Sequence, residues 1–198
     1  MLLRQRSCGR QNGSSVKFVL AIVGLSLLLT SCDTLSLQPL SSETEKTTAE
    51  PAVIGSWKNS DDATIWIVTE KSPAVYSVVQ QGKSTAQLEV RLTRIGQVLF
   101  ADFQPADQEF CQIPGHLFGR VQVNGSKMQL AWVDFKWLER QIQPQSFPGH
   151  QFAAFGEDNN LILTASTAEL RAYLEKVANM SKAFQEDQTF LRLGPTNR

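Results

Sequence analysis

Beyond residue 52 the chain alternates with a period of two. Leu88-Glu89-Val90-Arg91-Leu92-Thr93 places apolar side chains on one face and polar ones on the other, the pattern of a strand with one wet side. The same reading predicts strands over 63–70, 74–80, 97–103, 117–123 and 127–133, with shorter ones at 161–164 and 189–193. Asn124-Gly125 is the strongest turn signal, because both residues tolerate the positive φ of a type I′ hairpin turn; Gln81-Gly82 and Ile95-Gly96 are weaker versions. Strands joined by such short turns run antiparallel, so the segment reads as a β-meander. Two helical stretches interrupt it. Ser166-Thr167-Ala168-Glu169 has the spacing of a capping box, followed by Leu170, Leu174, Val177 and Ala178 as one apolar stripe. A shorter helix is expected from Asp134 as cap to Gln141, with Leu138 and Ile142 a turn apart, ending before Pro144. The expected fold is therefore mainly β: an antiparallel meander forming a barrel or curled sheet, with one long C-terminal helix and one short helix.

Some strands are apolar on both faces, Ile65-Trp66-Ile67-Val68 and Val98-Leu99-Phe100 above all. In a barrel, one face of such a strand lines the interior while the other is covered by a helix. Two arrangements produce this pattern, a filled core and a ligand cavity. Trp66, Phe100, Met128 and Trp132 are the candidate ligand-binding residues for a small apolar or lipid-like molecule, with Leu130 at the wall.

The first 31 residues have a different character. Arg4, Arg6, Arg10 and Lys17 precede an apolar run from Phe18 to Leu29, with no acidic residue among them. A run of about a dozen is shorter than the roughly twenty residues a spanning helix needs, and basic-then-apolar is the order of an export signal. Leu29-Thr30-Ser31-Cys32 follows and resembles the lipobox of bacterial lipoproteins: an aliphatic residue, two small ones, then cysteine. That resemblance implies a signal peptide over 1–31, with Cys32 acylated and becoming the first residue of the mature protein. Two or three acyl chains hold a protein almost permanently, at about 0.8 kcal/mol per buried methylene. The expected location is the cell membrane, lipid-anchored and facing the periplasm or the exterior. Asp33 resembles the inner-membrane retention signal of enteric bacteria and favours that membrane where the enteric rule applies.

Residues 32–51 are expected to be the acylated cysteine and a flexible tether. From Asp33 to Glu50 the chain is rich in Ser, Thr and Glu and has no aromatic residue. Such a leash would have a root-mean-square reach of roughly 25 Å. A single β-rich domain over 52–193 follows, then a polar tail, 194–198.

At the head of that domain stands Gly55-Ser56-Trp57, which resembles the Gly-x-Trp motif on the first strand of lipocalins and related calycins. In that family the tryptophan plugs one end of an eight-stranded antiparallel barrel, and the order of meander, helix and short terminal strand is similar here. Arg192 is the basic residue that could close on the tryptophan. The family's Thr-Asp-Tyr-like segment has no counterpart, and an unrelated antiparallel barrel or sandwich fits the same periodicity.

Composition narrows the partners. The chain balances 19 basic against 19 acidic residues; without residues 1–31 the balance is 15 to 19, or −4. A mildly acidic domain has no electrostatic draw toward nucleic acid or anionic headgroups, so its membrane partner is reached through the acyl chains on Cys32. Of three cysteines, Cys8 leaves with the signal, Cys32 is acylated and Cys111 remains alone, so the domain forms no internal disulfide.

The one cluster of candidate catalysts or ligands is Asp107, Glu109, Cys111 and His116. Its spacing matches no standard metal motif, and Pro105, Pro114 and Gly115 mark an ordinary connecting loop. His150 reads as a loop histidine. No cofactor and no metal are expected. The leading expectation is a membrane-anchored, non-enzymatic binding module for a small apolar ligand. The alternatives are a protein-interaction module docking another envelope component and a hydrolase using the 107–116 loop.

Overall fold

The computed structural model describes residues 34–41, 47–82, 85–106, 115–134, 137–138, 150–155 and 158–194, with backbone alone for 34–35, 150–155 and 158–161. Among the described residues eleven strands are formed: β1 Thr34–Ser36, β2 Gly55–Asn59, β3 Ile65–Ser72, β4 Val75–Gln81, β5 Ala86–Ile95, β6 Val98–Pro105, β7 Leu117–Asn124, β8 Lys127–Trp132, β9 His150–Phe155, β10 Asp158–Leu163 and β11 Gln188–Arg192. Helix α1 spans Thr167–Val177, and single 3₁₀ turns form at Pro51–Val53 and Ser181–Ala183.

Eight strands close into an antiparallel barrel in the order β11-β2-β3-β4-β5-β6-β7-β8. Each strand from β2 to β7 pairs with its successor, and β11 seals the cylinder by pairing with both β8 and β2. Closure leaves the barrel sheet no open edge, the usual liability of an antiparallel sheet. Because hairpins alternate direction, the barrel has two unlike ends. One carries the tight connections β3–β4, β5–β6 and β7–β8; the other carries the longer connections β2–β3, β4–β5 and β6–β7.

At the β7–β8 connection the turn differs from the expected one. The two loop residues are Gly125 and Ser126, and only Gly125 takes a positive φ, +58°. A type I′ turn needs two such residues, whereas a type II′ turn needs glycine at its first central position. Asn124 therefore stays in the strand.

Two apolar layers share the barrel wall. Trp57, Val68, Val78, Val90, Leu92, Ala101, Val121 and Leu130 fill the interior. On the outside, Ile95, Phe100 and Phe118 pack against Leu170, Leu174 and Val177 of α1, together with Leu40 and Phe184. β6 serves both: Leu99, Ala101 and Phe103 face inward while Phe100 and Asp102 are buried outside. This is the physical origin of the two-sided apolar strands.

Helix α1 starts at the expected capping box. Ser166 Oγ accepts from Glu169 N, and Glu169 accepts in return from Ser166 N at 2.9 Å. The bonds that the carboxylate accepts, from Ser166 N first and then from Ser166 Oγ at 2.8 Å, hold the Glu169 carboxyl below the usual range. The cap is therefore complete above the ordinary glutamate pKa and lost as pH falls through the depressed value. Ser166→Ala should cost about 1 kcal/mol, read as a lower denaturant midpoint with an unchanged slope. Asp134 also acts as a cap, its Oδ1 accepting from Trp137 N at 2.9 Å and its carbonyl from Leu138 N; residues 139–149 lie outside the described residues.

The N-terminal segment departs most from expectation. The sequence reads as a leash over 33–50, yet β1 pairs in parallel with β10, which pairs with β9 to make a second, three-stranded sheet. Leu40 is fully buried, its N–H donates to Asp102 Oδ2 at 2.8 Å, and Arg171 and Thr167 of α1 donate to the carbonyls of Leu40 and Pro39. Polar composition misled here because one leucine and its backbone amide, finding buried partners, suffice to hold a short strap. His150 likewise opens β9, paired with Leu163, rather than lying in a loop.

Candidate functional site

The barrel interior contains an internal void of about 30 Å³, lined by Val53, Trp66, Val68, Tyr76, Val78, Val90, Leu92, Ala101, Phe103, Val121, Met128 and Leu130. Every one of these residues is buried. The Tyr76 hydroxyl accepts from Glu50 N at 2.8 Å. A water needs about 10–15 Å³ and two or more polar partners, whereas a site for benzene is about 150 Å³. The void thus has room for small apolar matter only, and leaving it empty costs about 0.7 kcal/mol at the usual price per unit of cavity volume.

The end with the longer connections is crowded with aromatic rings. Trp66 lies 4.7 Å from Phe190 and meets Phe103 edge-on at 6.0 Å, and Phe103 lies 4.7 Å from Trp132. Trp132 is only half-buried, and its Nε1 donates to Gln188 Oε1 at 3.3 Å. Of these rings, Trp66 and Phe103 line the void.

The opposite end is sealed by a different device. Trp57 is fully buried, and its Nε1 donates to Val53 O of the first 3₁₀ turn at 2.7 Å. Arg192 lays its guanidinium 4.1 Å over the Trp57 ring while its two terminal nitrogens donate to the carbonyls of Ile54 and Ala52. A planar fork that stacks and bonds bidentately is a role for arginine, not lysine. Gly55 is part of the same device: its φ is +137°, and a Cβ there would stand 2.6 Å from Arg192 Nη1. The Gly-x-Trp pattern thus has a physical reason in this chain.

Of the four residues singled out for a ligand, Trp66 and Met128 line the void and Leu130 joins them as its wall. Trp132 packs beside that layer through Phe103. Phe100 is on the other side of the wall, 6.2 Å from Phe184 beneath α1, and does not reach the void. A strand apolar on both faces hides its own parity, so sequence could not say which side Phe100 takes. Of the inward residues that reasoning missed, Val68 is two from Trp66 and Val90 belongs to the alternating run 88–93, so the period of two could have found both; Phe103 is an odd three residues from Phe100, and Tyr76 shares its strand with no recognised residue.

Asp107, Glu109 and Cys111 lie outside the described residues, as does Cys32. His116 is placed: its Nδ1 stands 2.7 Å from Oδ1 of Asp102, whose side chain is 2% exposed. Ser36 and His116 also exchange both backbone hydrogen bonds. The imidazole is therefore engaged in pinning the N-terminal strap to the barrel. An acidic residue inside Leu99-Phe100-Ala101-Asp102-Phe103 was the sequence signal for this buried polar site. Among the described residues no three His, Cys, Asp or Glu side chains gather as metal ligands.

No family model, no curated protein and no solved structure matches this chain. What stands is an eight-stranded antiparallel barrel, consistent with the lipocalin-like form.

Proposed function

We propose that the chain is a lipoprotein of the bacterial cell envelope, anchored through acyl chains on Cys32, whose calycin-like barrel binds a small apolar ligand without chemistry. The observation that carries the reading is the void walled by buried apolar side chains, with rings grouped toward one end among the described residues. Rings can change rotamer, whereas the Trp57–Arg192 end is bonded to backbone. The size of the void makes the ligand small, and a longer molecule requires the Trp66–Phe103–Trp132 cluster to swing aside. Its apolar walls favour binding driven by burial, at about 25 cal/mol per Å².

Native mass spectrometry of the detergent-extracted protein tests both halves. The intact mass should include the acyl chains and Cys32→Ser should leave the membrane fraction; retention of that variant would mean a different anchor. Met128→Trp, which fills the void, should abolish saturable uptake of xenon, a probe smaller than benzene, that Phe100→Leu leaves intact. Absence of saturable uptake by the unaltered protein would sink the ligand half. The smallness of the void, with Leu191 and Leu193 exposed beside each other along the chain, is what favours the second reading, a module docking another envelope protein. A co-purifying polypeptide lost on Leu191→Ser would support it.

A further inference from the structure

The described parts of the N-terminal strap, 36–41 and 47–50, touch the barrel wall at different heights. Ser36 pairs with His116, the residue before β7, at the end with the aromatic cluster. Leu40 follows, bonded to Asp102, whose partner Phe118 lies two residues beyond His116. Thr48 N then donates to Leu92 O, past the point where β4 begins at Val75, so it lies toward the Trp57 end. The strap therefore leaves the fold at the aromatic end. From Thr34 to Cys32 there are two peptide steps, at most about 7 Å of extended chain, in place of the roughly 25 Å a free leash would allow.

We infer that this docked strap holds the aromatic end of the barrel against the bilayer, so that the void opens toward the membrane and its ligand is a membrane-partitioned apolar molecule. The inference rests on the proposed acylation of Cys32 and names the source of the ligand for that reading. The anchor sets the orientation, and charge works against it. Asp61 and Asp62 are exposed in the β2–β3 connection at the aromatic end, while Lys71 and Lys127 are exposed at the other. An anionic surface would repel Asp61 and Asp62.

The test uses the full acylated protein, Cys111→Ala, in phosphatidylcholine vesicles carrying a nitroxide-headgroup lipid. A fluorophore is attached at Asp61→Cys or, separately, at Ser126→Cys, exposed positions at opposite ends. The label at 61 should be quenched several-fold more than the label at 126. A long Gly-Ser insertion between Asp33 and Thr34 should erase the difference with the fold intact. Equal quenching in the unextended protein, or reversal when phosphatidylglycerol is added, would overturn the orientation while leaving acylation standing. Failure of the protein to remain with the vesicles would overturn the acylated reading and this inference together.

Discussion

Trp57→Ala should lower stability by about 3–5 kcal/mol, the range for removing a large buried aromatic. The indole is fully buried at the sealed end, donates to Val53 O at 2.7 Å and carries the Arg192 guanidinium on its face. Its removal opens a cavity, strips the 3₁₀ turn of its bond and leaves the guanidinium without its platform. Arg192→Met, which keeps an apolar stem but loses the fork, should cost less, about 1–3 kcal/mol, since only the cation–π contact and the charged donors are gone. The two losses should not add, because both substitutions break the same contact. Denaturant unfolding of the double variant checks this: a summed loss would mean that the tryptophan and the arginine act independently.

Asp102→Ala should cost about 2–4 kcal/mol, more than any exposed carboxylate would. The carboxylate is the shared acceptor of a buried site, taking Leu40 N at 2.8 Å on one oxygen and meeting His116 Nδ1 at 2.7 Å on the other. Deleting it leaves polar groups buried without a partner, which is costlier than never having buried them. Asp102→Asn, which keeps an oxygen for one of the two, should lose less. The loss should be concentrated at the strap: hydrogen exchange at Leu40 and Ser36 should accelerate in Asp102→Ala more than exchange at Leu92 or Val121 in the barrel wall. Uniform acceleration would show that the strap is not a separate unit of stability.

How far the sequence foretold the barrel depended on whether neighbours along the chain shared one environment. β5, with Leu88, Val90 and Leu92 inward and Glu89 and Arg91 outward, was legible where water lies on its outer side, whereas Thr93, expected on the wet face, is buried beside Ile95, which packs under α1. β6 was legible as a strand and illegible in its facing, since Phe100 and Phe103 are both buried, one under α1 and one in the interior. The capping box of α1 was legible residue by residue because its bonds are local. β1 was illegible because its pairing with β10 spans more than a hundred residues and its own composition is that of a linker.

By itself the sequence determined the local structure of this protein: strands where apolar and polar residues alternate, a helix where a cap meets an apolar stripe, and an antiparallel meander where turns are short. These are properties of near neighbours, and near neighbours are what a sequence displays. Tertiary structure alone decided that β11 closes the cylinder against β2, that Arg192 rather than any other base covers Trp57, that the interior is nearly filled, and that the supposed leash is bound to the wall through Asp102. Each of those depends on which distant surfaces are close enough to exclude water, and that distance exists only once the chain has folded.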